Sequence, residues 1–220
     1  MMSIDRAKEI AQFIKNNDVV SINLMGGEFF CNPDWYEIFT ILIDSCKHAR
    51  IVSNGDWANN ISVQAKLQRL VINCGDKINI SISRDKWHTN KNVDKAGELL
   101  EKMGAKYNIP DINYLSESGI VPIGRSAFSS NGIYSFFGCY CQKPESLYTF
   151  LIDEDGDIYK CDMGVLQYAN ISDYLDGGFD KRFKEFNMKF YNAFIPNCAK
   201  CYQTMMFKNN KDRKLLVRTD

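Results

Sequence analysis

Apolar residues recur at helical spacing from Asp5 to Lys15, where Ile10, Phe13 and Ile14 share a face. The run Val19-Val20-Ser21-Ile22-Asn23-Leu24 then reads as a buried strand ending at Gly26-Gly27. The two periods go on alternating. Asn32 offers a cap and Pro33 a first-turn residue to a helix whose apolar face is Trp35, Ile38, Phe39, Leu42 and Cys46. Arg50-Ile51-Val52-Ser53 predicts a second strand, stopped by Asn54-Gly55, and a third helix is expected from about Asn60 to Val71. From Ile78 to Ser83 apolar and small polar residues alternate strictly, which is a strand with two different faces. A fourth helix presents Val93, Ala96, Leu99, Leu100 and Met103 before Gly104, and Ile112-Asn113-Tyr114-Leu115 forms a short fifth segment. Repeated strand–helix units of this length predict an α/β fold, a parallel sheet with helices on its outside.

Beyond Leu115 the pattern changes. Residues Ser116 to Gly138 are rich in Gly, Ser and Pro, the mark of a boundary or a functional loop, and a junction near Ser130 divides the chain into residues 1–129 and 130–220. Tyr148 to Ile152 and Asp157 to Lys160 flank Asp153-Glu154-Asp155-Gly156. This is a hairpin signal in which Gly156 supplies a positive φ and turns Cys161 back toward Cys141. The turn is no calcium loop, because Leu151 and Asp162 stand where that pattern requires an aspartate and a glutamate. Phe179, Phe183, Phe186 and Phe190 recur at helical spacing, a packing stripe expected to join the second domain to the first.

Composition narrows the function classes. At 220 residues and 45% hydrophobic the chain supports a sizeable core, and 27 basic residues balance 27 acidic ones. A neutral chain has no long-range field to gather nucleic acid or an anionic membrane, so a small or neutral partner fits better. The five basic residues between Lys208 and Asp220 read as an exposed tail. Met1 to Arg6 lacks the apolar stretch of a signal peptide, and no run approaches a membrane span; a soluble, cytoplasmic protein is expected. In that reducing compartment eight cysteines are thiols or metal ligands rather than disulfides.

The cysteines cluster toward the C-terminus. Cys141-x14-Gly156-x4-Cys161 and Cys198-x2-Cys201 together give four thiolates, enough for one [4Fe–4S] cluster or, with equal ease, one tetrahedral zinc. Cys139 stands close enough to replace Cys141. Cys46 and Cys74 read as core, and Cys31 is the spare thiol nearest to Gly26-Gly27-Glu28. That triplet closes the first strand with two residues lacking Cβ and a carboxylate that can accept from an ammonium.

With these motifs the chain resembles a radical S-adenosylmethionine enzyme carrying a short C-terminal auxiliary-cluster domain of the SPASM/twitch kind. In that family a Gly-Gly-Glu at the end of a barrel strand holds the methionyl ammonium of the cofactor; Gly26, Gly27 and Glu28 match it. Phe29 and Cys31 depart from the Pro-rich continuation usual there. Ser53-Asn54-Gly55 is similar to the family's Thr-Asn-Gly, which places Asn54 near the ribose. Ser81 and Ser83 resemble serines near the methionine carboxylate. Asp85 and His88 follow at the barrel mouth, and Gly124-Arg125-Ser126 is similar to a segment preceding the auxiliary domain.

The resemblance implies a partial (β/α) barrel on residues 1–129 and a cysteine-clipped α+β domain on 130–220. It also implies S-adenosylmethionine as cofactor, one auxiliary [4Fe–4S] cluster on Cys141, Cys161, Cys198 and Cys201, a flavodoxin or ferredoxin as reductant, and a peptide or small-molecule substrate. The parent activity would be reductive cleavage of the cofactor and hydrogen abstraction from that substrate. The family's Cys-x3-Cys-x2-Cys loop is missing, and Met2-Ser3-Ile4-Asp5 resembles the start of the helix that follows it. The chain is therefore expected to be the latter part of a longer enzyme and inactive alone, with Val19 to Leu24 left at an open sheet edge. Two alternatives remain: a non-catalytic binding module with a structural zinc on the four cysteines, and a zinc-stabilised protein acting on nucleic acid, which the neutral charge disfavours.

Overall fold

The computed structural model describes residues 1–25, 28–84, 91–110, 150–159, 167–183 and 185. They fall into two compact units, one within Met1–Gly119 and the other within Ile120–Asp220. The junction expected near Ser130 lies outside the described residues.

The first unit opens with α1 (Ile4–Asn16), capped by the Ser3 hydroxyl, which accepts from Arg6 N at 3.2 Å. Its apolar stripe of Ala7, Ile10, Ala11, Phe13 and Ile14 is buried. Strands β1 (Ser21–Leu24), β2 (His48–Ser53), β3 (Ile78–Ile82) and β4 (Tyr107–Asn108) pair in parallel, in sequential order. Between successive strands run α2 (Trp35–Ile43), α3 (Ile61–Cys74) and α4 (Val93–Lys102). The chain is thus a mixed α/β protein with a four-stranded parallel sheet. Sequential order with the usual right-handed crossovers puts every connecting helix on one face of such a sheet. Burial agrees, since Ala49, Ile51, Ile78, Ile80 and Ile82 point to that face and are 0–3% exposed.

The other face is polar. Register aligns Ser21 with His48, and Asn23 with Arg50 and Asn79, so these side chains share it. This departs from most parallel sheets, which are apolar on both sides.

Several boundaries differ from the sequence reading. Val20 is 54% exposed and β1 alternates between exposed and half-buried residues, because it is an edge strand among the described residues rather than a buried one. Asn32 does not cap α2. Its Oδ1 accepts from Asp34 N in a preceding turn, its Nδ2 donates to Met2 O at 2.9 Å, and the helix begins at Trp35. Cys46 lies past the end of α2, yet it is buried as expected. Asn60 caps α3, accepting from Ser62 N and Val63 N. The segment expected at Ile112 to Leu115 is outside the described residues. No helix among the described residues is long and apolar enough to cross a membrane.

In the second unit β5 (Leu151–Ile152) and β6 (Asp157–Tyr159) form the expected hairpin, with Gly156 at φ 81°. Asp153 organises the turn. Its carboxylate accepts from Asp155 N, Asp157 N and the Tyr159 hydroxyl, so its oxygens serve the loop rather than a cation. A third antiparallel strand, β7 (Gln167–Asn170), adds to β6. Phe179 and Phe183 are buried and pack on Phe150 and Tyr168. Phe186 and Phe190 lie outside the described residues.

Candidate functional site

The chain leaves β1 at Leu24 and, after Gly26 and Gly27, which are outside the described residues, resumes at Glu28. Glu28 caps the 3-10 turn Phe29–Cys31, its Oε1 accepting from Phe30 N at 3.4 Å. The same carboxylate reaches the tip of β2. Oε1 accepts from Ser53 Oγ at 2.9 Å and Oε2 from Asn54 N at 2.8 Å. Glu28 therefore stands at the C-terminal edge of the parallel strands, where ligand sites of such sheets assemble.

A carboxylate offers about four acceptor directions. Three are used here, which leaves one on Oε2. Among the described residues Glu28 has no cationic partner. A half-buried carboxylate fixed by a hydroxyl and two amides, without a counter-charge, is suited to receive a cation from outside the chain.

Ser53 was missed by the sequence reading, which gave the site to Asn54. Ser53 is 3% exposed, donates to Glu28, and itself accepts from Gly55 N at 3.0 Å. The signal was present: Ala49, Ile51 and Ser53 alternate onto the buried face, and a hydroxyl at a core-facing strand end needs a partner. The Asn54 side chain turns the other way, closing a local turn with Asp56 through Asp56 N at 2.9 Å and Asp56 Oδ2 at 3.0 Å. Only its backbone touches Glu28.

Of the two serines expected at the site, Ser83, just past the end of β3, lies at the same edge and donates its N–H to Ser53 O at 2.8 Å. Ser81 is 2% exposed and accepts from Arg50 Nη2 at 2.8 Å on the polar face. The structure thus gathers Glu28, Ser53, Asn54 and Ser83 at one edge and leaves Ser81 engaged with Arg50. Behind them Phe30 packs edge-on to Trp35 and at a tilt on Trp57. Trp57 is buried, and its Nε1 has no hydrogen-bond partner among the described residues.

The thiols divide by environment. Cys31 is exposed beside the Glu28 turn, and Cys74 is half-exposed at the end of α3. Cys46 donates to Leu42 O at 3.5 Å and His48 O at 3.3 Å, and burial pushes its pKa up. Among the described residues no three His, Cys, Asp or Glu side chains come together as a metal site. Cys139, Cys141, Cys161, Cys198 and Cys201 lie outside the described residues, as do Asp85, His88 and Gly124-Arg125-Ser126. Arg84, just before them, pairs with Asp94 of α4.

No protein-family model matches the chain, and no curated protein does.

Proposed function

We propose that this chain is a radical S-adenosylmethionine family protein. In this reading the parallel sheet is a partial (β/α) barrel that holds the cofactor. The second unit is a small auxiliary-cluster domain with Cys141, Cys161, Cys198 and Cys201 as ligands. The observation that carries the reading is the Glu28 carboxylate, fixed beside the tip of β2 with one acceptor direction left and no cationic partner among the described residues. The sheet supports it too. A (β/α) barrel assembles its site at the C-terminal edge of parallel strands, and Glu28, Ser53 and Asn54 meet at that edge.

The residues present fit the cofactor's amino-acid end. Glu28 would take the methionyl ammonium, with Gly26 and Gly27 admitting a close approach and Ser53 holding the carboxylate in place. Asn54 would act through its backbone, since its amide is already engaged with Asp56. Bound there and reduced, S-adenosylmethionine supplies radical hydrogen abstraction from a peptide or small-molecule substrate. The 220 residues contain no Cys-x3-Cys-x2-Cys, so the ligands of the catalytic cluster are not supplied by this chain, and a reductant such as flavodoxin or ferredoxin would act with the complete system.

The test is calorimetric titration with S-adenosylmethionine and with 5′-methylthioadenosine, which lacks the ammonium. Saturable binding of the first, weakened about tenfold or more by Glu28→Gln, with no effect of the substitution on the second, supports the assignment. Wild-type protein that binds neither, or a folded Glu28→Gln that binds S-adenosylmethionine as well as wild type, overturns it.

A second reading, a non-catalytic binding module with structural zinc, is favoured by one observation. Three acceptor directions of Glu28, and one donor and one acceptor direction of the Asn54 amide, already serve the chain itself, as in a purely architectural strap.

A further inference from the structure

The sheet has a second edge, at the starts of its strands, and the polar face there carries a charge pattern that Glu28 and its neighbours do not use. Register sets it out in two rows. Ser21 pairs with His48 in the first. Ala49 pairs with Ile78 one step on, so Lys77 stands next to His48. In the second row Asn23, Arg50 and Asn79 are aligned, and Lys106 follows by the same step from the Ile80–Tyr107 pair. Side chains of paired residues share a face, so His48, Lys77, Arg50 and Lys106 all lie on the polar one.

We propose that this face binds a small molecule bearing a phosphate or diphosphate group, with Arg50 and Lys77 as its charged ligands and His48 beside them. Three observations carry it. First, the residues line a recess of about 370 Å³, at the small end of the range for small-molecule sites. Second, the charge there is unbalanced. Asp76 is the one carboxylate of the lining, and it pairs with Lys106 at 3.0 Å, while Arg50 and Lys77 form no ion pair among the described residues. Third, Arg50 is positioned rather than loose. The buried Ser81 hydroxyl accepts from its Nη2 at 2.8 Å, which orients the guanidinium and leaves its other N–H donors for a ligand.

The arrangement favours phosphate over carboxylate. One guanidinium fork saturates a planar carboxylate, whereas a tetrahedral phosphate held by Arg50 keeps oxygens for a second cation in the adjacent row. It favours a small ligand over a nucleic acid, because the cations occupy one recess rather than a stripe and the chain is neutral overall. The proposal does not rest on the reading of Glu28, which lies at the opposite edge of the sheet.

Inorganic pyrophosphate is the probe, titrated into the full chain at low salt by calorimetry or followed by phosphorus NMR. Saturable binding is expected. Arg50→Gln and Lys77→Gln each weaken it about tenfold, the loss of one charge-assisted hydrogen bond. Ser81→Ala weakens it less, Arg50→Lys falls between wild type and Arg50→Gln, and Lys8→Gln on α1 leaves it unchanged. Circular dichroism confirms that each variant is folded. Absence of pyrophosphate binding to wild type, equal weakening by Lys8→Gln, or citrate binding as tightly as pyrophosphate overturns the proposal. Binding of S-adenosylmethionine is measured on the same variants. It stays unchanged in Arg50→Gln if the two sites are separate, and a matching loss of both ligands also sinks the assignment of a second site.

Discussion

The Ser53 hydroxyl donates to Glu28 Oε1 at 2.9 Å and joins the tip of β2 to the 3-10 turn that follows β1. The contact does two things at once. It fixes the carboxylate that closes β1, and it leaves Ser53 Oγ free to accept from the buried Gly55 N–H that begins the next turn. Ser53→Ala removes a donor from Glu28 and the acceptor of Gly55. It should cost about 1–3 kcal/mol, the range for leaving a buried polar group unsatisfied. Chemical denaturation reads the loss. Because Glu28→Ala removes the same contact from the other side, the double variant should lose less than the sum of the two single losses.

Helix capping gives an internal comparison. Asn60 Oδ1 accepts from both Ser62 N and Val63 N at the start of α3, while Asp34, in the same position before α2, makes no side-chain capping bond. Asn60→Ala should destabilise by about 1 kcal/mol and Asp34→Ala by a few tenths at most. Urea midpoints of the two variants decide it; equal losses would mean that the Asn60 cap contributes nothing specific.

How far the sequence could be read depends on whether a feature is local. The strict alternation of Ile78 to Ser83 and the start of a helix near Asn60 are properties of a few adjacent residues, and both were legible. The run Val19 to Leu24 was read as buried because a continuous apolar stretch does not reveal how many neighbours its strand will have; at the sheet edge Val20 stays 54% exposed. Tyr107–Asn108 is a two-residue strand, too short for any period to register. The site divides the same way. Glu28 was visible as part of a short motif, but Ser53 as its partner follows from a contact 25 positions away. The rows that place Arg50 beside Asn79 and His48 beside Lys77 likewise exist only once β1, β2 and β3 are in register, and a slip of one residue would send each side chain to the other face.

Cys31 and Cys46 should separate by reactivity. Cys31 is exposed, whereas Cys46 is buried with its pKa raised, first by desolvation. Burial favours the neutral thiol in the folded state, so the stability it contributes is complete below the unfolded thiol pKa. It falls as pH rises through that value toward the raised folded one. An aromatic disulfide reagent at neutral pH should modify Cys31 in the native protein, and Cys46 only after denaturant is added. Wild type should also lose stability between neutral and strongly alkaline pH relative to Cys46→Ala. A pH-independent difference between the two would remove the role given to burial.

The four distal cysteines make the last prediction. A [4Fe–4S] cluster and a tetrahedral zinc both need four thiolates, so spacing cannot choose between them, but stoichiometry and colour can. If the auxiliary-cluster reading holds, anaerobically purified protein carries about four irons and four sulfides per chain, with a broad visible absorption that dithionite or air alters. Cys161→Ser and Cys198→Ser each abolish it, and Cys46→Ser, at a thiol bonded to backbone carbonyls, does not. One zinc per chain, no iron, and colourless protein would instead move the chain to the binding-module reading. The Glu28 strap would then be architecture, and S-adenosylmethionine binding would be expected to fail together with the cluster.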